Sequence, residues 1–118
     1  MHVGAMVCLG AGYLIVENAI THDQVQTLRE AMDDALGRKE REDADRFAAD
    51  EQQDGKYEPP PNRLFGELLE EDERFEFLLD ATPVLSRMKA ILGNAVQLHS
   101  ATARCTRGGA PDQDWHRC

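Results

Sequence analysis

Cysteine is scarce in this sequence, and what there is does not pair up. Cys8, Cys105 and Cys118 make an odd count with no Cys-x-x-Cys, which excludes a disulfide framework and a zinc knuckle and makes a reducing, cytoplasmic setting the expectation. Long hydrophobic runs are lacking too. The apolar stretch Val3–Val16 is broken by glycines and has no basic flank, so it is expected to be neither a bilayer span nor a signal peptide. Basic residues are in deficit, 13 against 22 acidic, for a net charge of -9. A field of that sign repels phosphate, so neither nucleic acid nor an anionic membrane is an expected partner. There is no nucleophile constellation, phosphate loop, basic–aromatic stripe or internal repeat. Gly10-x-Gly12 lacks the third glycine of a dinucleotide fingerprint.

What is present suits one small domain. The chain has 118 residues, 42% of them hydrophobic and 30% charged, a composition compatible with a packed core. Tyr13-Leu14-Ile15-Val16-Glu17 is β-branched and aromatic and reads as a short strand buried on both faces. Thr21-x-x-Gln24 is a capping box, with Ile20 and Val25 at the positions of a hydrophobic staple. Val25, Leu28, Ala31, Met32, Ala35 and Leu36 then recur at helical spacing, and Gly37 suits a C′ position. A helix is predicted from His22 to about Leu36, with the charged run to Ala49 able to extend it.

The segment 50–61 ends in Pro59-Pro60-Pro61, has almost nothing apolar to bury, and is expected to be a mobile loop. Leu64, Phe65, Leu68 and Leu69 restart the apolar pattern. Phe75, Leu78 and Leu79 predict a short helix over 72–79. Thr82-Pro83 reads as an N-cap followed by proline at N1, opening a helix over 83–92. Val84, Leu85, Met88, Ile91 and Leu92 form its expected buried face, and Gly93 its stop. Residues 96–106 alternate as a strand would, followed by the turn Gly108-Gly109-Ala110-Pro111 and the ending Gln113-Asp114-Trp115-His116-Arg117-Cys118. The expected class is α+β: both strands in one sheet, the helices packed on one of its faces.

This order of elements, with Gly12–Asn18, Thr82–Gly93 and Gln113-Asp114-Trp115-His116 as its most telling segments, resembles the phytanoyl-CoA dioxygenase family of non-haem iron, 2-oxoglutarate-dependent oxygenases. The resemblance spans most of the chain from Gly12 onward. It implies a double-stranded β-helix, or jelly roll, and a facial triad made of a His-x-Asp pair and a distal histidine. On that footing His116 is the first metal ligand, but Cys118 stands where the carboxylate should be. The resemblance therefore implies an N-terminal portion of such an oxygenase over 1–118, with its core incomplete and Fe(II) and 2-oxoglutarate as the cofactors of a complete homologue. A small organic molecule would be the substrate.

Gln113 is either a cosubstrate contact, since an amide both donates and accepts, or a solvated turn residue. Arg104 and Arg107 are either where the family places a basic residue facing an anionic ligand or two surface arginines. His99 is expected on an outer strand face. Cys8 and Cys105 read as small buried hydrophobes, and Trp115 as packing beside the site. The alternative from another class is a non-catalytic α+β interaction or scaffold domain, self-associating through unpaired strand edges.

Overall fold

The structure is a computed structural model and describes residue 10 and residues 12–114. Its dominant element is a single helix, α1 (His22–Ala49). The helix starts as the sequence predicts. Thr21 Oγ1 accepts from the Gln24 backbone amide at 3.1 Å, and the Gln24 side chain accepts from the Thr21 amide at 2.8 Å, so two otherwise unpaired donors are satisfied. The helix does not stop at Gly37 but takes the longer course to Ala49. The charged half is held by bonds reaching across the fold: Arg38 donates to the Glu71 carbonyl at 2.7 Å, Glu40 pairs with Arg107 and Asp43 with Arg63 at 2.8 Å. Tertiary contacts of this kind outweigh the propensity cost of one glycine, about 1 kcal/mol.

After an irregular segment from Asp50, Asn62–Phe65 forms β1. It pairs antiparallel with β2 (Ala103–Thr106), in the register Asn62 to Thr106 and Phe65 to Ala103. The expected sheet thus exists with a different first strand. Residues 13–17 form no strand, Glu17 already lying in a turn with Asn18, and they are not buried on both faces. Leu14 and Val16 are half-buried while Tyr13 and Ile15 (76% exposed) face out. A β-branched run needs a neighbour to complete its ladder, and no strand lies beside this one among the described residues. The expected strand over 96–106 shortens to its last four residues for the same reason. Beyond Phe65, β1 gives way to Gly66 and the short helix α2 (Leu68–Glu71), leaving residues 96–102 nothing to pair with except a single bond from the Leu68 amide to the Ala101 carbonyl at 2.8 Å.

The helix expected over 72–79 is a 3₁₀ helix, Glu73–Leu79, whose N-cap Asp72 accepts from the Arg74 amide at 2.9 Å. Next comes α3 (Thr82–Leu92), with Pro83 in its first turn and Gly93 at its end at φ 90°, a conformation that favours glycine. Its N-cap is Ala81 rather than Thr82, and no side chain caps it. The expected buried face of α3 is not buried: none of its residues is, and Leu92 is 61% exposed.

The core lies elsewhere. Ala31 and Ala35 of α1, Phe65 of β1, Leu68 of α2 and Phe75 of the 3₁₀ helix form one buried cluster. The small alanines let α1 approach the two aromatic rings. Around them pack Leu28, Met32, Leu36, Leu69 and Leu78, with Ala101, Ala103 and Cys105 from the β2 side. Among the described residues α1, α2 and the 3₁₀ helix pack with Phe65 on that one face, whereas α3 buries nothing there. No helix among the described residues is long and apolar enough to cross a membrane.

Candidate functional site

The two faces of the sheet differ, and their difference places the site. Alternation along β2 turns Ala103 and Cys105 toward α1 and the core, and Arg104 and Thr106 the other way. On β1 the same alternation buries Phe65 (2% exposed) and leaves its neighbour Leu64, which lies opposite Arg104, 60% exposed. One face is therefore packed and the other is open.

On the core face, Arg63 sits beside Cys105 at the edge of α1. Its Nη1 meets Asp43 Oδ2 at 2.8 Å and its Nη2 donates to Tyr57 Oη at 3.4 Å. Burial pulls the guanidinium pKa down, but the hydrogen bond and charge of Asp43, with Tyr57 adding to them, outweigh it and raise it. Burial likewise pushes the Cys105 thiol up, against the nearby charge of Arg63. Cys105 accordingly stays protonated at neutral pH and acts as a packing residue, as the sequence suggests. Arg74 makes a second clamp: it grips Asp72 through Nε and Nη2 at 2.9 and 2.7 Å, and reaches Asp34 of α1 at 2.6 Å. Hydrogen bonds from Arg74 hold the Asp72 carboxyl well below the usual carboxylate range, and the Arg74 pKa is raised in turn.

On the open face, a shallow cavity of about 330 Å³ is walled by Asn62, Arg104 and Thr106 of the sheet and by residues 110–113 of the following loop. Two of the sequence candidates, Arg104 and Gln113, thus line the same cavity although nine positions separate them. Sequence reasoning missed Asn62 and Thr106, whose place beside Arg104 depends on the β1–β2 register. A guanidinium, two amides and a hydroxyl offer donors to a carboxylate, and Asp112 in the same wall opposes an anion. Arg107 is committed elsewhere, paired with Glu40. His99 is exposed, outside any strand, in a groove beside α3.

His116, Trp115, Cys118 and Cys8 lie outside the described residues. Among the described residues no three His, Cys, Asp or Glu side chains come together as a metal site.

Two strands, helices on one side and a polar cavity on the other define an α+β domain with a half-covered sheet. The chain belongs to the phytanoyl-CoA dioxygenase (PhyH) family, whose sequence profile matches residues 9–117. That family has a jelly-roll fold and typically uses Fe(II) and 2-oxoglutarate. Neither the curated proteins nor the solved structures searched gave a match to this chain.

Proposed function

We propose that this chain is the N-terminal portion of an Fe(II)/2-oxoglutarate-dependent dioxygenase that hydroxylates a small organic substrate. The observation that carries the reading is the open face of the sheet. A jelly roll stacks two sheets with their inner faces together. In the described residues only one two-stranded sheet exists, with helices on one side and Leu64, Arg104 and Thr106 exposed beside half-buried Asn62 on the other. That bare face is the one the second sheet would cover, which turns its polar cavity inward, toward the reaction chamber.

In the complete enzyme Arg104 and Gln113 would contact a carboxylate of 2-oxoglutarate, and His116 would be the first metal ligand. The iron would supply the site at which cosubstrate and oxygen meet. Residues 12–114 supply the scaffold and the anion-facing wall. With one ligand of three and a sulfur in the carboxylate position, the chain by itself holds no stable iron. The scattered cysteines agree with a cytoplasmic setting.

A second reading, a non-catalytic interaction domain of the same ancestry, is favoured by one feature. The outer backbone edges of β1 and β2 have no further strand beside them among the described residues, and such edges invite pairing with another chain. Succinate formation from 2-oxoglutarate separates the two readings. Joining the C-terminal part of a family member to this chain, together with Cys118→Asp, should restore turnover, whereas Cys118→Asp alone should not. A correctly folded fusion without turnover favours the interaction domain.

A further inference from the structure

The helix α3 is the least accounted-for element of the fold. It is mostly apolar yet buries no residue, and a groove runs along each of its flanks. One, of about 480 Å³, is walled by Leu85, Met88 and Leu92 together with Leu78, Val96 and Leu98. The other lies between Val84, Met88 and Ile91 and the two residues Leu14 and Val16. Val84 and Met88 face both grooves or their shared rim, so the two form one continuous apolar surface. Its charge is unlike that of the rest of the chain. Lys89 stands in the first groove and Arg87 in the second, and neither is lined by a carboxylate. From Ala81 to Pro111 the sequence has Arg87, Lys89, Arg104 and Arg107 but no Asp or Glu, in a chain that carries 22 of them.

These observations narrow the occupant. Small-molecule sites enclose most of their ligand, whereas Val84 and Leu92 are 46% and 61% exposed, which describes a docking seam rather than a pocket. A second copy packed isologously would set Arg87 and Lys89 against themselves and bring two chains of net charge -9 together. The same net charge opposes an anionic membrane. What fits is a polypeptide segment with an apolar face and acidic flanks. We propose that the α3 grooves are the seam onto which the rest of the oxygenase domain folds, through such an acidic amphipathic segment. This rests on the reading of the chain as a portion of a larger oxygenase domain.

The test uses the chain as it stands and two synthetic helical peptides with the same leucine face, one flanked by glutamate and the other by lysine. Hydrogen exchange of the α3 amides reports occupancy. The glutamate peptide should slow exchange across Leu85–Leu92, and added salt should weaken its binding. Met88→Asp should weaken it about tenfold or more, by placing a carboxylate among apolar walls. Met88 is part-exposed and outside the core cluster, and an unchanged circular dichroism spectrum will establish that the variant folds. The lysine peptide should leave α3 unaffected. Equal protection by both peptides, protection by neither, a preference for phosphatidylserine vesicles, or a concentration-dependent dimer abolished by Met88→Asp would each overturn the proposal. Peptide binding and succinate formation are independent readouts. An active completed enzyme whose α3 stays unprotected rejects the seam alone; a protected α3 without turnover rejects the catalytic reading alone.

Discussion

Replacing Phe65 and Leu64 by alanine, one at a time, puts the two-faced sheet to a direct comparison. The residues are neighbours on β1 and differ in which face they occupy, 2% against 60% exposed. Phe65 belongs to the single buried cluster, so its truncation removes most of an aromatic ring's burial and leaves a cavity, at about 3–5 kcal/mol. A domain of this length is stabilised by roughly 6–18 kcal/mol at ~0.05–0.15 kcal/mol per residue. With only Ala31, Ala35, Phe65, Leu68 and Phe75 buried among the described residues, the lower end applies. Phe65→Ala should therefore remove about half the stability or more. Leu64→Ala touches only the open face and should cost within about 0.5 kcal/mol. Urea unfolding followed by far-ultraviolet circular dichroism suits the measurement, because α1 dominates the helical signal. At ~1–3 kcal/mol per molar urea, the midpoint should fall on the order of 2 M for Phe65→Ala and by a few tenths for Leu64→Ala. Equal losses, or a larger loss for Leu64→Ala, would refute the assignment of faces.

Three further outcomes follow from single features. Gly37→Ala should raise stability by up to about 1 kcal/mol, since the added methyl would meet only the flexible end of Arg41 at 3.4 Å; a lower thermal midpoint would contradict a helix continuous through Gly37. The Asp72 carboxyl is held below its ordinary pKa by Arg74, so its stabilisation is complete above about pH 4 and is lost as the pH falls below that. Asp72→Asn should lower the midpoint at pH 7 and flatten its acid decline, and identical acid limbs in the two proteins would count against the clamp. Amides of Asp54–Lys56 should exchange within the fastest class of the chain, ahead of the bonded amides of Asp50, Gln52 and Gln53, while Tyr57, packed on Phe47 with centroids 5.9 Å apart, should be slower; uniform strong protection across the loop would be the contrary result.

How much of this was legible in the sequence varies with the range of the interaction involved. Local chemistry read correctly at two helix ends, the Thr21–Gln24 box that opens α1 and the Gly93 that closes α3, though Thr82 proved the first helical residue and not the N-cap. Pairing did not. Asn62–Phe65 offers only four residues and one alternation, too short to outrank the β-branched run at Tyr13, and nothing local announces that its partner lies about forty positions on. The course of α1 beyond Gly37 is held by Arg63 and Arg107 from two other segments and by the bond of Arg38 to the Glu71 carbonyl, none of them local, so Gly37 looked like an end. The apolar stripe of α3 pointed to a partner, and among the described residues that face is exposed instead of buried. At the candidate site, Arg104 and Gln113 were nameable one by one, but the cavity joining them to Asn62 and Thr106 depends on the register of the sheet.

The most direct measurement of the central claim is succinate formation from 2-oxoglutarate by the unmodified chain, under air with added Fe(II), beside His116→Ala. On the proposed reading, in which the chain supplies one metal ligand and part of an oxygenase scaffold, it should make no succinate above the level of the His116→Ala control. Succinate made by the unmodified chain and abolished by His116→Ala would contradict the account, because it would mean that this chain alone assembles a working iron site.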